Sequence, residues 1–113
     1  MSTENKAMYE ARTHIIKALA HPARLMIVDK LKDAPLCVGD IREMVGSDMS
    51  TVSKHLSVLK NAGIVQDEKR GMQVFYSLRC PCVTQFFTCA MKVLRTTAKA
   101  QMALVKGKQE LNT

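Results

Sequence analysis

The chain has no tryptophan, and aromatic residues make up only 4% of it. A core without large ring systems must be filled by aliphatic and thioether side chains. Eight methionines and many Ala, Leu and Val supply them, a composition that suits packed helices. Long apolar runs are missing too. None approaches the roughly 20 residues that cross a bilayer. The N-terminal "MSTENKAMYE" has neither the basic start nor the apolar stretch of a secretory signal. A cytoplasmic protein with no membrane partner is expected, and in that compartment thiols stay reduced. Linkers and internal repeats are absent, so the 113 residues are expected to form one domain.

Acids are scarce. Ten Asp and Glu stand against seventeen Lys and Arg, giving a formal net charge of +7. Such an excess points to a polyanionic partner, either nucleic acid or an acidic membrane face. Enzyme signatures are absent as well. There is no C-x-x-C and no glycine-rich loop to cradle phosphate, which argues against a disulfide or arsenate reductase. His14, His21 and His55 are scattered, with no carboxylate cluster beside them. No enzyme and no catalytic residue are expected.

Helical spacing dominates what is there. Met8, Ala11, Ile15, Ala18 and Leu19 recur at threes and fours from about Ala7. "HPAR" interrupts them, because a residue before proline is biased out of the helical region, and Pro22 then opens a second helix. "KDAPL" breaks the chain again. Val38, Ile41, Met44 and Val45 form a third helix, closed by Gly46. Asp48 caps a fourth that carries Val52, Leu56 and Leu59 and ends at Gly63. After Gly63 the period changes. "IVQDEKRGMQVFYSL" reads as a hairpin with Gly71 at the left-handed position. Helical spacing returns from Cys82 to about Val105, and "KGKQELNT" is a polar tail expected to fray. The order is mainly α with a β-hairpin wing, a winged helix-turn-helix. Its helix-turn-helix covers 38–63 and its wing 64–78.

The fourth helix has one apolar stripe. Its other face offers Ser50, Thr51, Ser53, Lys54 and His55, then Lys60, with no acid among them. That face equally describes an ordinary solvated helix. Its short or flexible hydrogen-bonding groups also suit a major groove, where base edges present donors and acceptors. Backbone N–H groups of its first turn would suit phosphate. Lys69, Arg70 and Gln73 at the hairpin tip, together with the positive charge, decide for double-stranded DNA.

Three of the four cysteines fall in "SLRCPCVTQFFTCAMKVL". Cys82, Phe86, Cys89 and Val93 are spaced like a helix–helix packing seam, and free Cys packs well as a small hydrophobe. Cys80 is different. It sits at the expected N-cap with Pro81 at the first helical position, where the helix dipole makes thiolates easier to form. Two thiolates two residues apart can chelate a soft ion. Cys89 is the candidate third ligand. It lies two turns from Cys82, about 10 Å along the axis, while sulfurs on one ion lie roughly 4 Å apart. The helix must unwind at its start, or a second chain must contribute. Val83, Phe86, Ala90, Val93 and Leu94 make an apolar side too long for so small a domain to cover, so a homodimer is expected.

"LAHPARLMIVDKL", "LCVGDI", "STVSKHLSVLKNAGIV" and "RGMQVFYSL" together resemble the ArsR/SmtB family of bacterial metal- and thiol-responsive repressors. The resemblance runs from about Ile15 to Leu78. It implies a winged-helix homodimer whose first and last helices, here about 7–20 and 82–105, form the dimer interface. It also implies operator binding that is relieved by an inducer. The family's zinc sensors place Asp-x-His at the start of the last helix, then His and Glu. Cys80 and Cys82 stand at the first two positions and Val93 and Thr96 at the others, so that zinc site is incomplete. "PLCVGD" resembles the family's "LCVCD" motif, with Cys37 at its first Cys and Gly39 replacing the second. A site moved to Cys80, Cys82 and Cys89 is the expectation, with Cys37 as packing. All-thiolate ligation and the resemblance favour As(III) or Sb(III) as inducer, with Cd(II) or Pb(II) as further options and no organic cofactor. The alternatives are a repressor of the same fold that senses redox or reactive sulfur species through disulfide or polysulfide bridges, and a structural DNA-binding dimer with packing cysteines.

Overall fold

Local capping starts most of the helices. Ser2 Oγ accepts from the Asn5 N–H at 3.3 Å and opens α1 (Thr3–Leu19). The polar "STEN" is therefore a cap and a first turn, and the helix begins before the Ala7 that periodicity suggests. His21 Nδ1 accepts from the Ala23 N–H at 3.0 Å, and Pro22 then opens α2 (Pro22–Leu31). β1 (Leu36–Cys37) runs directly into α3 (Val38–Val45). Gly46 ends α3 at φ +75, a conformation that side chains with a Cβ rarely adopt. Asp48 then accepts from the Thr51 N–H at 2.7 Å and starts α4 (Met49–Asn61).

β2 (Val65–Arg70) and β3 (Gln73–Leu78) form the hairpin, with Arg70 opposite Gln73 across the turn of Gly71 and Met72. Gly71 sits at φ +62, as the hairpin reading expects. The sheet has three strands in the order β1-β3-β2, all antiparallel. β1 is not legible as a strand. It has two residues, and it exists only because Leu36 and Cys37 pair with Tyr76 and Phe75 across the sheet. After the wing come a short 3₁₀ turn (Pro81–Thr84) and α5 (Gln85–Leu111). Helical spacing alone ends the last helix near Val105; it continues to Leu111.

The computed structural model describes the backbone of residues 1–111 and the side chains of residues 1–106. The tail expected to fray, 106–113, is helical as far as Leu111, and Asn112 and Thr113 lie outside the described residues. The chain divides into two compact units, Met1–Pro81 and Cys82 onward. In the first, α2, α3 and α4 pack on one another, and α4 also packs on β2. Ile27, Val28, Ile41, Val52, Leu56, Leu59 and Val65 are all at or below 2% exposure. Each such side chain contributes about 1.5–3 kcal/mol of burial. α1 adds Ala18 and Leu19 to this core, while its Met8, Tyr9, Ile15 and Ile16 remain exposed. In the second unit, α5 carries Phe86, Met91, Val93, Leu94, Met102, Leu104 and Val105 exposed. The architecture is the expected winged helix-turn-helix.

Candidate nucleic-acid interface

α4 is held by its buried stripe, and that fixes what its other face shows. Val52, Leu56 and Leu59 point into the core. Ser50, Ser53, Lys54 and Ser57 are exposed and Thr51 is half-buried. No acid occurs from Met49 to Asn61. Ser57 extends the expected set by one helical turn; the spacing Ser50, Ser53, Ser57 signals it.

His55 does not belong to that face. The sequence reading assigns it to DNA, but only 8% of it is exposed. Its Nδ1 lies 3.2 Å from Arg24 Nη1, and its ring centroid lies 4.4 Å from that of His21. Position 55 directly precedes Leu56 on the buried stripe, so the apolar periodicity carries the ring inward. The histidines are thus not scattered: two of the three meet. Burial first, then the nearby His21 and Arg24, hold the His55 ring below the ordinary histidine range. Arg24, absent from the expected set, also donates through Nε to the Ala18 carbonyl at 2.7 Å.

The N-terminal turn of α4 also differs from expectation. The Asp48 carboxylate already takes the Thr51 N–H, and Ser50 Oγ donates to it at 3.3 Å. These bonds, led by that of the Thr51 N–H, lower the Asp48 pKa. A phosphate arriving there meets a negative charge and a spent donor, so α4 offers its face rather than its end.

At the other end, Lys60 is drawn back to the wing. Its Nζ lies 3.0 Å from Asp67 Oδ1 and 3.1 Å from Oδ2. That hydrogen bond raises the Lys60 pKa. Lys60 therefore ties the end of α4 to β2, with about half of its side chain still exposed. Arg70 pairs with Glu68 at 3.3 Å and lies over the Phe75 ring, 5.0 Å from its centroid. Lys69 and Gln73 are exposed, and Met72 at the tip is 98% exposed.

The cysteines separate by burial. Cys37 is buried, and Cys80, Cys82 and Cys89 are exposed. Cys82 lies inside the 3₁₀ turn and α5 starts three residues later, so the expected α-helical N-cap at Cys80 gives way to a tighter turn. A 3₁₀ turn rises more per residue than an α-helix, which puts Cys82 and Cys89 about 12 Å apart along the axis. Among the described residues, no three His, Cys, Asp or Glu side chains gather closely enough to hold a metal ion. No helix among them is long and apolar enough to cross a membrane.

Residues 21–67 match the family described as bacterial regulatory proteins, arsR family. The chain is 31% identical over 104 residues to the HTH-type transcriptional regulator Rv0081 of Mycobacterium tuberculosis, covering 91% of each. The crystal structure of Rv0081 superposes with a TM-score of 0.75 over 84% of this chain and 96% of that one. A solution structure of the homodimeric winged helix-turn-helix domain of Mb0332 from Mycobacterium bovis is 26% identical. It also gives a TM-score of 0.75, over 88% of this chain and 93% of that one. The HTH-type transcriptional repressor SmtB of M. tuberculosis is 34% identical over 73 residues, 65% of this chain and 54% of that protein.

Proposed function

The chain belongs to the arsR family of bacterial regulatory proteins, DNA-binding regulators that are not enzymes, and from that premise we propose a homodimeric cytoplasmic repressor released from its operator by a soft thiophilic ion. The observation that carries the DNA reading is the acid-free exposed face of α4, with Ser50, Ser53, Lys54 and Ser57 turned outward over a fully buried stripe. Thr51, Lys69, Arg70 and Gln73 complete the proposed contacts. Two copies would meet a pair of half-sites about one DNA turn apart, roughly 34 Å. The exposed apolar residues of α1 and α5 support the dimer, as does the homodimeric domain of Mb0332.

The inducer reading rests on the exposure of Cys80, Cys82 and Cys89 beside the burial of Cys37. Thiolates without histidine suit As(III) or Sb(III), and also Cd(II) or Pb(II). The separation along α5 favours Cys89 from a second copy as the third ligand. Cys80 follows closely on the Arg79 N–H, which donates to the Ile64 carbonyl at 2.9 Å and fastens the end of the wing. An ion bound there would load that fastening. The same exposure favours, as a second reading, disulfide or polysulfide chemistry among these three thiols.

The test is release of a selected DNA duplex by As(III), Sb(III), Cd(II), Zn(II), peroxide and polysulfide, in the parent and in four single Cys→Ser variants. As(III) should weaken binding by about 5- to 150-fold in the parent and in Cys37→Ser. It should have no effect on Cys80→Ser or Cys82→Ser. Release that survives both of those changes but not Cys37→Ser would move the sensor to the helix-turn-helix. Release by polysulfide alone would select the second reading.

A further inference from the structure

Arg24, in α2, links α1 to α4, with bonds at both ends. Its Nε donates to the Ala18 carbonyl at 2.7 Å and its Nη2 to the Lys17 carbonyl at 3.5 Å, both in the last turn of α1. Its Nη1 reaches His55 Nδ1 at 3.2 Å on α4. Arginine can only donate, so His55 Nδ1 is the acceptor and the neutral ring carries its proton on Nε2. His21, 4.4 Å away between ring centroids, is bound the same way, because its Nδ1 accepts from the Ala23 N–H. Both rings are thus held as acceptors through Nδ1. A proton added to either one removes the lone pair that makes its bond.

We propose that Arg24 and His55 are positioning residues for operator recognition, a latch between α1 and α4 that holds while His55 is neutral and opens when it is protonated. The proposal rests on the reading of α4 as the DNA-contacting helix and adds a signal to it. In the open state the imidazolium, mostly buried, faces the Arg24 guanidinium with no carboxylate to balance them. The titratable and charged groups acting on His55 are His21, at the N-cap of α2, and Arg24 within α2. From α1 the Ala18 and Lys17 carbonyls accept from Arg24. The end of α3 and the following turn present Val45 and Ser47, and α4 presents Thr51, around the same cavity. Among the described residues, no carboxylate lines that cavity. The latch therefore holds while His55 is neutral and opens under acid.

The experiment uses the full chain and a DNA duplex selected from a random library by the parent at pH 7.5. Affinity is measured from pH 8 to pH 5 for the parent, His55→Gln and His21→Asn. The parent should lose at least about fivefold on acidification, the low end of ordinary coupling between sites. His55→Gln keeps an acceptor that does not titrate, so its profile should be flat whatever its absolute affinity. His21→Asn keeps a capping side chain and should retain the acid loss. A profile for His55→Gln that matches the parent overturns the latch. The second arm needs no variant and no DNA. Nitrogen NMR of the parent should show His55 as the Nε2–H tautomer at pH 8, and an Nδ1–H tautomer overturns the proposal. If the parent selects no duplex at all, the DNA reading fails while the tautomer measurement still decides the latch.

Discussion

The core of the first unit and the last helix treat apolar side chains in opposite ways. From Ala18 to Val65 the large aliphatic side chains that matter most are sealed, with Ile27, Val28, Ile41, Val52 and Leu59 at 0% exposure. In α5 side chains of the same chemistry stand open, with Val93 at 64%, Leu94 at 60% and Leu104 at 69%. A single chain therefore contains a finished reading head and an unfinished helix. The difference teaches that the head has a sealed core of its own, whereas α5 leaves its large apolar side chains open. A regulator built this way can keep its DNA-contacting face intact while the spacing between two heads is set elsewhere.

The sharpest way to break that contrast is to charge the open surface. The double change Val93→Glu with Leu94→Glu should leave the head folded and turn a dimer into a monomer in sedimentation equilibrium. Losing simultaneous engagement of two half-sites should weaken operator binding by about 10²- to 10⁴-fold. Normal affinity from a monomer would end the proposal that two heads act together.

Truncation tests the other side of the contrast. Leu56→Ala removes a side chain with 1% exposure and should cost about 2–5 kcal/mol in denaturant unfolding. That loss should not depend on protein concentration. Leu94→Ala should cost less, and its cost should grow as the protein is diluted. Equal, concentration-independent losses would mean that α5 packs on its own chain in solution.

Smaller effects refine the head itself. Lys54→Gln should lower affinity for all duplexes alike and reduce the slope of log K against log salt by about one per contacted phosphate. An unchanged salt slope would remove Lys54 from the interface.

The smallest effect is expected at Asp48. Its carboxyl is ionised more readily in the folded chain, because it accepts from Thr51 and Ser50. A lowered carboxyl pKa stabilises the fold above the unfolded value and loses that contribution as pH falls through the folded one. Asp48→Ala should thus lower Tm slightly at neutral pH, with the gap to the parent closing below about pH 4. Asp48→Asn, which keeps the capping oxygen, should lie between them.

Much of this was legible in the sequence because it is local. Asp48, Gly46 and Gly71 announce a cap, a stop and a turn from their own conformational preferences, and Val52, Leu56 and Leu59 announce a stripe. What stayed hidden depends on pairs far apart in the chain. β1 has no periodicity to read and is created by Tyr76 and Phe75. Lys60 looks like a free cation until Asp67 is brought beside it. His55 was the avoidable miss. Its place next to Leu56 on the inward side was visible, but a histidine among serines and a lysine reads as polar surface until Arg24 is seen to hold it. The spacing of the three cysteines does not foretell the 3₁₀ turn that separates Cys82 from α5.

β2 is the open edge of the sheet, since β3 lies between it and β1. An open edge is a template on which another strand can form. Here the edge reads Gln66, Asp67, Glu68, Lys69 and Arg70, all exposed, with two acids followed by two bases. A like strand approaching in parallel would bring acid against acid and base against base. An antiparallel one would set acids against bases, so there the charges do not oppose pairing. The charge order of this edge therefore discriminates by direction: it opposes an in-register parallel partner strand and leaves the antiparallel one unopposed.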